Sequence, residues 1–173
     1  MIVVSIDPGL TGACAVLDHA GLRVVFDLPT MEIPGLGPKA MIRSKIDGRA
    51  LVRALREHVP AKAGPPRAVI EAVNVIGPGK NNAVQTQGSL MRTLGAVEAV
   101  LEALGWFPDY ANPQTWKRTF GLIDSDLTPA QRKAKALECA RRLYPGCNAI
   151  ARAKDHNRAE AVLIGHWYRE HRA

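Results

Sequence analysis

Residues 2–18 read IVVSIDPGLTGACAVLD, and this stretch decides the fold. Residues 2–6 are β-branched and apolar almost throughout, which is typical of a central strand covered on both faces. The turn Asp7-Pro8-Gly9 ends that strand, and residues 12–17 are a second strand candidate. The stretch therefore predicts two buried strands, the first of which ends on a carboxylate.

A third strand and a long loop are predicted next. Residues 22–28 have strand character and follow a spacer of hairpin length, so three consecutive antiparallel strands are expected. Residues 29–46 combine prolines and glycines with Lys39, Arg43 and Lys45. We interpret them as a long basic loop without a strand or helix of its own.

The rest of the chain alternates helices with short strands. One strand, residues 67–71, again ends on a carboxylate, Glu71. The helix predicted over 84–104 is rich in small residues, which allow close packing against a sheet or another helix. The other predicted elements are a helix from Asp47 to Val59, a strand over 106–111, and helices starting at Asn112, Thr128 and Asp155.

Composition limits the class of protein. With 173 residues, of which 47% are hydrophobic, the chain fits a single domain spanning 1–173 with a proper core. The formal net charge of +7 makes a polyanionic partner, nucleic acid first, more probable than for an average domain. Cys14, Cys139 and Cys147 form no CxxC pair, which argues against a disulfide framework or a zinc site. We expect a cytoplasmic protein without a membrane span or signal segment.

Four acids carry the functional hypothesis. Asp7 and Glu71 end two strands, and Asp155 and Glu160 flank the start of the last helix. Carboxylates that converge repel each other unless a cation neutralises them, and hard oxygen ligands select Mg²⁺ or Mn²⁺. Two such ions about 4 Å apart can activate a water and stabilise the leaving oxygen in phosphodiester hydrolysis.

Simpler explanations exist for each acid. Asp7 could be a turn former, and Asp155 could be a helix N-cap. Glu71 is harder to explain in this way because it lies inside an apolar run, where an unpaired charge is costly. At about 100° per residue, His156 shares a helix face with Glu160, whereas Asp155 can reach the site only from the cap position. Asp155 and His156 therefore both remain candidates for a fourth ligand.

These residues, in this order, resemble the RuvC-like Holliday junction resolvases of the RNase H-like superfamily, most closely the small phage-type members. The matching segments span nearly the whole chain. They are Ile6-Asp7-Pro8-Gly9 with Thr11-Gly12, Val69-Ile70-Glu71, the helix from Gly88 to Leu104, Asn112-Pro113-Gln114-Thr115-Trp116-Lys117, and Asp155-His156-Asn157-Arg158-Ala159-Glu160-Ala161.

The resemblance implies both a fold and an activity. The fold is α/β and RNase H-like: a mixed five-stranded sheet, three antiparallel strands then parallel ones, flanked by helices. The activity is that of a homodimer making paired, Mg²⁺-dependent nicks across a four-way DNA junction, with Mn²⁺ as a substitute. The family's acids fall on Asp7, Glu71 and Glu160, and the setting is the cytosol of a bacterium or a phage-infected host.

Two departures from the family pattern affect the site. The cellular resolvases carry a second acid three residues before Glu160, where this chain has Asn157, so Asp155 or His156 must replace it. They also carry an aromatic junction wedge three residues after the strand-end glutamate, where this chain has Asn74. We therefore expect other residues, such as Val75-Ile76 or the loop over 77–81, to open the junction.

Nucleic-acid contacts are expected from polar residues on segments next to the acids. Lys117 matches a family lysine near the scissile phosphate, and Trp116 is interpreted as a packing residue. The full set of predicted nucleic-acid contacts is Lys80, Asn81, Lys117, Lys154 and Arg158. A solvated basic face would explain the lysines and the arginine equally well.

Three other functions fit parts of the sequence. Asp7-Pro8-Gly9-Leu10-Thr11 also fits the DxGxT phosphate loop of actin-like ATPases, but those proteins need two such domains. An RNase H-like nuclease could instead cut an RNA·DNA hybrid or a ribosomal RNA precursor with the same acids. A DNA-binding module without catalysis would account for the charge, although it gains nothing from carboxylates near its ligand.

Overall fold

The computed structural model describes residues 1–35, 37, 42–73 and 84–172. The strands are β1 (Val3–Asp7), β2 (Ala13–Asp18), β3 (Gly21–Asp27), β4 (Thr30–Glu32), β5 (Ser44–Ile46), β6 (Arg67–Glu71) and β7 (Pro108–Ala111). The α-helices are α1 (Gly48–His58), α2 (Val84–Ala103), α3 (Pro113–Thr119), α4 (Pro129–Leu143) and α5 (His156–His171). None of the helices in the described ranges is long and apolar enough to cross a membrane.

The main sheet has five strands in the order β3-β2-β1-β6-β7. The β1–β2 and β2–β3 pairs are antiparallel, whereas β1–β6 and β6–β7 are parallel. The predicted mixed sheet of three antiparallel strands followed by parallel ones is therefore confirmed. As expected from its apolar sequence, β1 is central and buried on both faces.

Register and side-chain alternation bring the ends of β1 and β6 together. Ile6 pairs with Ile70, so Asp7 and Glu71 follow at the same edge of the sheet. Val3 and Val69 belong to the hydrophobic cluster on the α3, α4 and α5 side of the sheet. Because strand side chains alternate between faces, Asp7 and Glu71 project toward that same helical layer.

Helix α5 lies directly on β1. A Cβ atom added to Gly165 would come within 2.3 Å of Leu17 Cδ1 and 2.5 Å of Ser5 Oγ, so only glycine allows this approach. The buried Ser5 hydroxyl donates a hydrogen bond to the carbonyl oxygen of Ala161 at 2.7 Å. These contacts fix the height and register of α5 over the strand that carries Asp7.

The interpretation of residues 29–46 as a loop throughout was wrong. Their two ends pair as a short antiparallel ribbon, β4 with β5, from Thr30 opposite Ile46 to Glu32 opposite Ser44. Proline and glycine are concentrated between these ends, and three-residue strands are too short to show a period of two in the sequence. Leu36 and residues 38–41, which include Lys39, lie outside the described residues.

Candidate active site

Three carboxylates from distant parts of the chain meet at this edge of the sheet. Asp7 ends β1, Glu71 ends β6, and Glu160 lies in the first turns of α5. Burial, followed by the charges of Glu71 and Glu160, raises the pKa of Asp7 well above its ordinary value. Burial likewise raises the pKa of Glu71, against the opposing charge of Lys117. Such mutual repulsion would be relieved by a cation near these acids.

Lys117 brings a positive charge into direct contact with this group. Its Nζ lies 3.2 Å from Glu71 Oε1 and 3.4 Å from Glu160 Oε2. The two carboxylates raise the pKa of Lys117 although burial opposes them. The lysine therefore holds the end of β6 against the start of α5 as a charged bridge.

The helix that carries Lys117 begins at a well-defined position. The Asn112 side chain accepts a hydrogen bond from Gln114 N at 2.8 Å, and Pro113 occupies the first helical position. Helix α3 therefore starts immediately after β7, the strand beside β6. Trp116, the residue before Lys117, is fully buried and donates from Nε1 to Glu71 Oε1 at 3.1 Å.

The turn after β1 is held tightly against the site. A Cβ on Gly12 would lie 2.1 Å from the Asp7 carbonyl oxygen and 2.9 Å from Gly9 N, so the turn requires glycine there. Asn157 of α5 donates from Nδ2 to the Thr11 carbonyl oxygen at 2.5 Å. Asn157 thus ties the turn after β1 to α5.

Asp155 has a different set of partners from the three converging acids. Its buried carboxylate accepts hydrogen bonds from Arg152 Nη2 at 2.8 Å, from Arg152 Nε and from Arg152 N. The hydrogen bond from the Arg152 side chain is the main reason that the pKa of Asp155 is lowered. Asp155 occupies the N-cap position of α5 without a side-chain cap hydrogen bond.

The other predicted contact residues lie in several places. Lys154, His156 and Arg158 line a groove of about 460 Å³ that also includes Thr11. Arg158 forms a two-pronged ion pair with Asp27, from Nε to Oδ1 at 2.6 Å and from Nη2 to Oδ2 at 2.5 Å. Lys80 and Asn81 lie outside the described residues, as do Asn74, Val75-Ile76 and the loop over 77–81.

The donor chemistry of the site fits a divalent metal ion. Asp7, Glu71 and Glu160 offer only hard oxygen atoms, the ligands that Mg²⁺ and Mn²⁺ prefer. The Lys117 ammonium already lies between two of them as a cation. Within the described ranges, however, no three His, Cys, Asp or Glu side chains are grouped closely enough to hold a metal ion. The three acids therefore lie near one another, but their carboxylates are not close enough together to form a complete metal site.

Two contributors to the site were missed by sequence reasoning. Trp116 was assigned to packing alone, and Asn157 was noted only as a departure from the family. A signal for Trp116 was present, because a buried indole N–H needs an acceptor and an acidic strand end was nearby. Sequence offers no comparable signal for Asn157, whose acceptor lies 146 residues away.

Comparison with known proteins identifies the fold. No protein-family model matches the chain, and no curated protein sequence matches it. Two solved structures of RuvC from Thermus thermophilus, each 14% identical, match 98% of this chain and 96% of their own, with TM-scores of 0.54 and 0.56. The first of them is RuvC in complex with a Holliday junction substrate. The chain therefore has the RNase H-like fold of RuvC.

Proposed function

We propose that this chain is a metal-dependent endonuclease that resolves four-way DNA junctions by paired phosphodiester hydrolysis. The observation that carries the proposal is the meeting of Asp7, Glu71 and Glu160 beside Lys117 on a fold shared with RuvC. The net charge of +7 suits a DNA ligand. In this proposal residues 1–173 form one nuclease domain of the phage type, acting in the cytosol of a bacterium or phage-infected host.

Each residue has a role in the proposed reaction. Asp7, Glu71 and Glu160 would hold Mg²⁺, or Mn²⁺ in its place, and the ion would supply a nucleophilic water and stabilise the leaving oxygen. The Lys117 ammonium is close enough to the acids to reach a phosphate bound over them. Lys154 lines the adjacent groove, where it would contact the DNA backbone, as proposed also for Lys80 and Asn81.

The fourth ligand is proposed to be His156 rather than Asp155. The Asp155 carboxylate forms an ion pair with the Arg152 side chain and accepts its hydrogen bonds. His156 lines the groove with Thr11 and is one helical turn from Glu160. Arg158, which is paired with Asp27, is proposed to hold β3 against α5 and to contact DNA only at its exposed edge.

Cleavage of defined substrates tests the proposal. Wild-type protein with Mg²⁺ is expected to cut a synthetic four-way junction symmetrically and to leave a linear duplex and an RNA·DNA hybrid largely intact. Asp7→Asn should reduce the rate at least about 100-fold, because it removes a charged ligand from the site. Asp126→Asn changes an exposed acid and serves as the matched control.

The outcomes separate the competing functions. Preferred cutting of the hybrid would favour an RNase H-like activity on RNA, and binding without cutting would favour a DNA-binding module. If Asp7→Asn cuts the junction at the wild-type rate, the proposed active site is wrong.

A further inference from the structure

The buried indole of Trp116 reaches the candidate site through its single polar atom. The side chain is completely enclosed in the hydrophobic cluster under α5, with its ring 6.4 Å from that of Phe120. Its Nε1 donates to Glu71 Oε1 at 3.1 Å. An unpaired N–H at this depth would cost free energy, so the packing of Trp116 and the orientation of Glu71 depend on each other.

The same glutamate oxygen receives a second donor. Lys117 Nζ lies 3.2 Å from Glu71 Oε1, and the ammonium is 5.0 Å from the centre of the Trp116 ring. Consecutive residues of α3 therefore converge on one oxygen of one carboxylate. Two donors on Oε1 restrict the rotation of the carboxylate, and among the described residues they leave Oε2 as the oxygen available to a metal ion.

The two donors differ in their freedom to move. The Lys117 side chain is 31% exposed and is shared between Glu71 and Glu160, so it can leave Glu71 without disturbing the core. Trp116 is 0% exposed and cannot turn away without unpacking the cluster. Only the indole contact therefore persists when the lysine moves toward another anion, such as a phosphate.

We infer that Trp116 is a positioning residue for Glu71, holding the carboxylate in its metal-binding orientation whether or not Lys117 is bound to it. The inference rests on the proposed function, in which Glu71 is a metal ligand. Trp116 touches neither the ion nor the DNA and acts through Glu71 alone. Groups that orient a ligand in this way commonly change metal affinity by about 10- to 100-fold.

Calorimetric titration of Mn²⁺ into the metal-free protein tests this inference without measuring cleavage. Trp116→Phe keeps an aromatic ring but removes the N–H, and we expect it to weaken binding about 10-fold. Trp167→Phe is the matched control, because Trp167 is a buried member of the same cluster that stacks on His171 away from the acids. That control should bind Mn²⁺ as the wild type does.

A double-mutant cycle separates positioning from general damage to the fold. In a Glu71→Gln background, Trp116→Phe should cause no further loss of Mn²⁺ affinity, because the group through which it acts is gone. Equal losses in both backgrounds would overturn the inference, as would a Trp116→Phe affinity equal to that of Trp167→Phe. If Trp116→Phe does not fold, benzothienylalanine at position 116, with sulfur in place of N–H, should give the same 10-fold loss.

The cycle also distinguishes this inference from the proposed function. If Glu71→Gln binds Mn²⁺ as tightly as the wild type, Glu71 is not a metal ligand and the proposed site is wrong. If Glu71→Gln weakens binding but Trp116→Phe does not, the proposed site stands and the role of Trp116 is refuted.

Discussion

At the residue scale, the ammonium of Lys117 and the divalent cation of the proposed function would need the same carboxylates. Lys117 lies within 3.4 Å of both Glu71 and Glu160, where a metal ion would also bind. Metal binding must therefore weaken at least one of the two ion pairs. The released ammonium would then be available to the phosphate that the reaction attacks.

Lys117→Met tests this competition. Removal of the ammonium should increase Mn²⁺ affinity severalfold at neutral pH, because the acids lose their internal counterion. Junction cleavage at saturating metal should nevertheless fall by about 100-fold, as the phosphate loses a charged donor. Calorimetry and single-turnover cleavage measure the two effects, and unchanged Mn²⁺ affinity would show that Lys117 and the ion do not compete.

Stability of the metal-free protein should depend on pH through the same acids. The pKa values of Asp7 and Glu71 are raised in the folded state, mainly by burial, so the native protein holds protons that the unfolded chain has released. The free energy of unfolding should therefore fall as pH rises from about 4, the ordinary carboxyl range, through the raised pKa values. Urea unfolding at several pH values measures this slope.

Asp7→Asn is the variant that identifies the source of the slope. It should flatten the pH dependence and make the metal-free protein more stable than the wild type at neutral pH. An equally steep slope in the variant would assign the effect to other groups.

At the element scale, the site depends on how closely α5 approaches β1. Gly165→Ala would place a Cβ 2.3 Å from Leu17 Cδ1 and should lower the free energy of unfolding by about 1–3 kcal/mol. It should also slow cleavage, because displacement of α5 carries Glu160 away from Asp7. Gly37→Ala, whose new Cβ meets no atom within 4 Å, is the control for stability and should leave the free energy of unfolding nearly unchanged. If Gly165→Ala leaves the free energy of unfolding unchanged, the described packing of α5 on β1 is wrong.

The elements that could be predicted from the sequence are those with a strong local signal. Apolar runs identified β1, β2 and β6, and the Thr128 capping box at the start of α4 is present with both of its hydrogen bonds. The short ribbon of β4 and β5 was missed because its pairing is set by contacts across the intervening loop rather than by a local pattern.

The grouping of the four candidate acids could be predicted only in part, for a related reason. Asp7 and Glu71 could be placed together because strand ends meet at one edge of a parallel pair. The partners of Asp155 could not be predicted, because its ion pair with Arg152 depends on the short 3₁₀ turn Ala153–Asp155 that precedes α5. The contacts of Trp116 and Asn157 are tertiary and leave no local spacing to detect.

At the scale of the whole molecule, the two symmetric nicks of the proposed function would require two copies of the site. An outer face of α2 carries Val84, 82% exposed, and Met91, 41% exposed. Glycines at 88 and 95 share this face, and an added Cβ on either meets no described atom within 4 Å. We propose that this face packs against a second copy. The small residues would let the two helices approach closely.

If the protein dimerises through this face, Met91→Glu should convert the dimer into a monomer, as judged by sedimentation velocity at micromolar concentration. The introduced charge would be buried in the interface without a partner, which is costly. Phe107→Glu, at an exposed position beyond the other end of α2, is the matched surface control. A monomeric wild type, or a Met91→Glu protein that remains dimeric, would rule out this interface.

The long sequence separation within the site has a consequence for synthesis. Asp7 and Glu160 are contributed by the first strand and the last helix, and the Ser5 contact to Ala161 spans 156 residues. During translation the amino-terminal strands emerge well before α5. The nascent chain therefore lacks Glu160 until α5 has left the ribosome, and a product truncated before α5 cannot gather the three acids. If the chain is the proposed nuclease, this order of synthesis would protect cellular DNA from partly made protein.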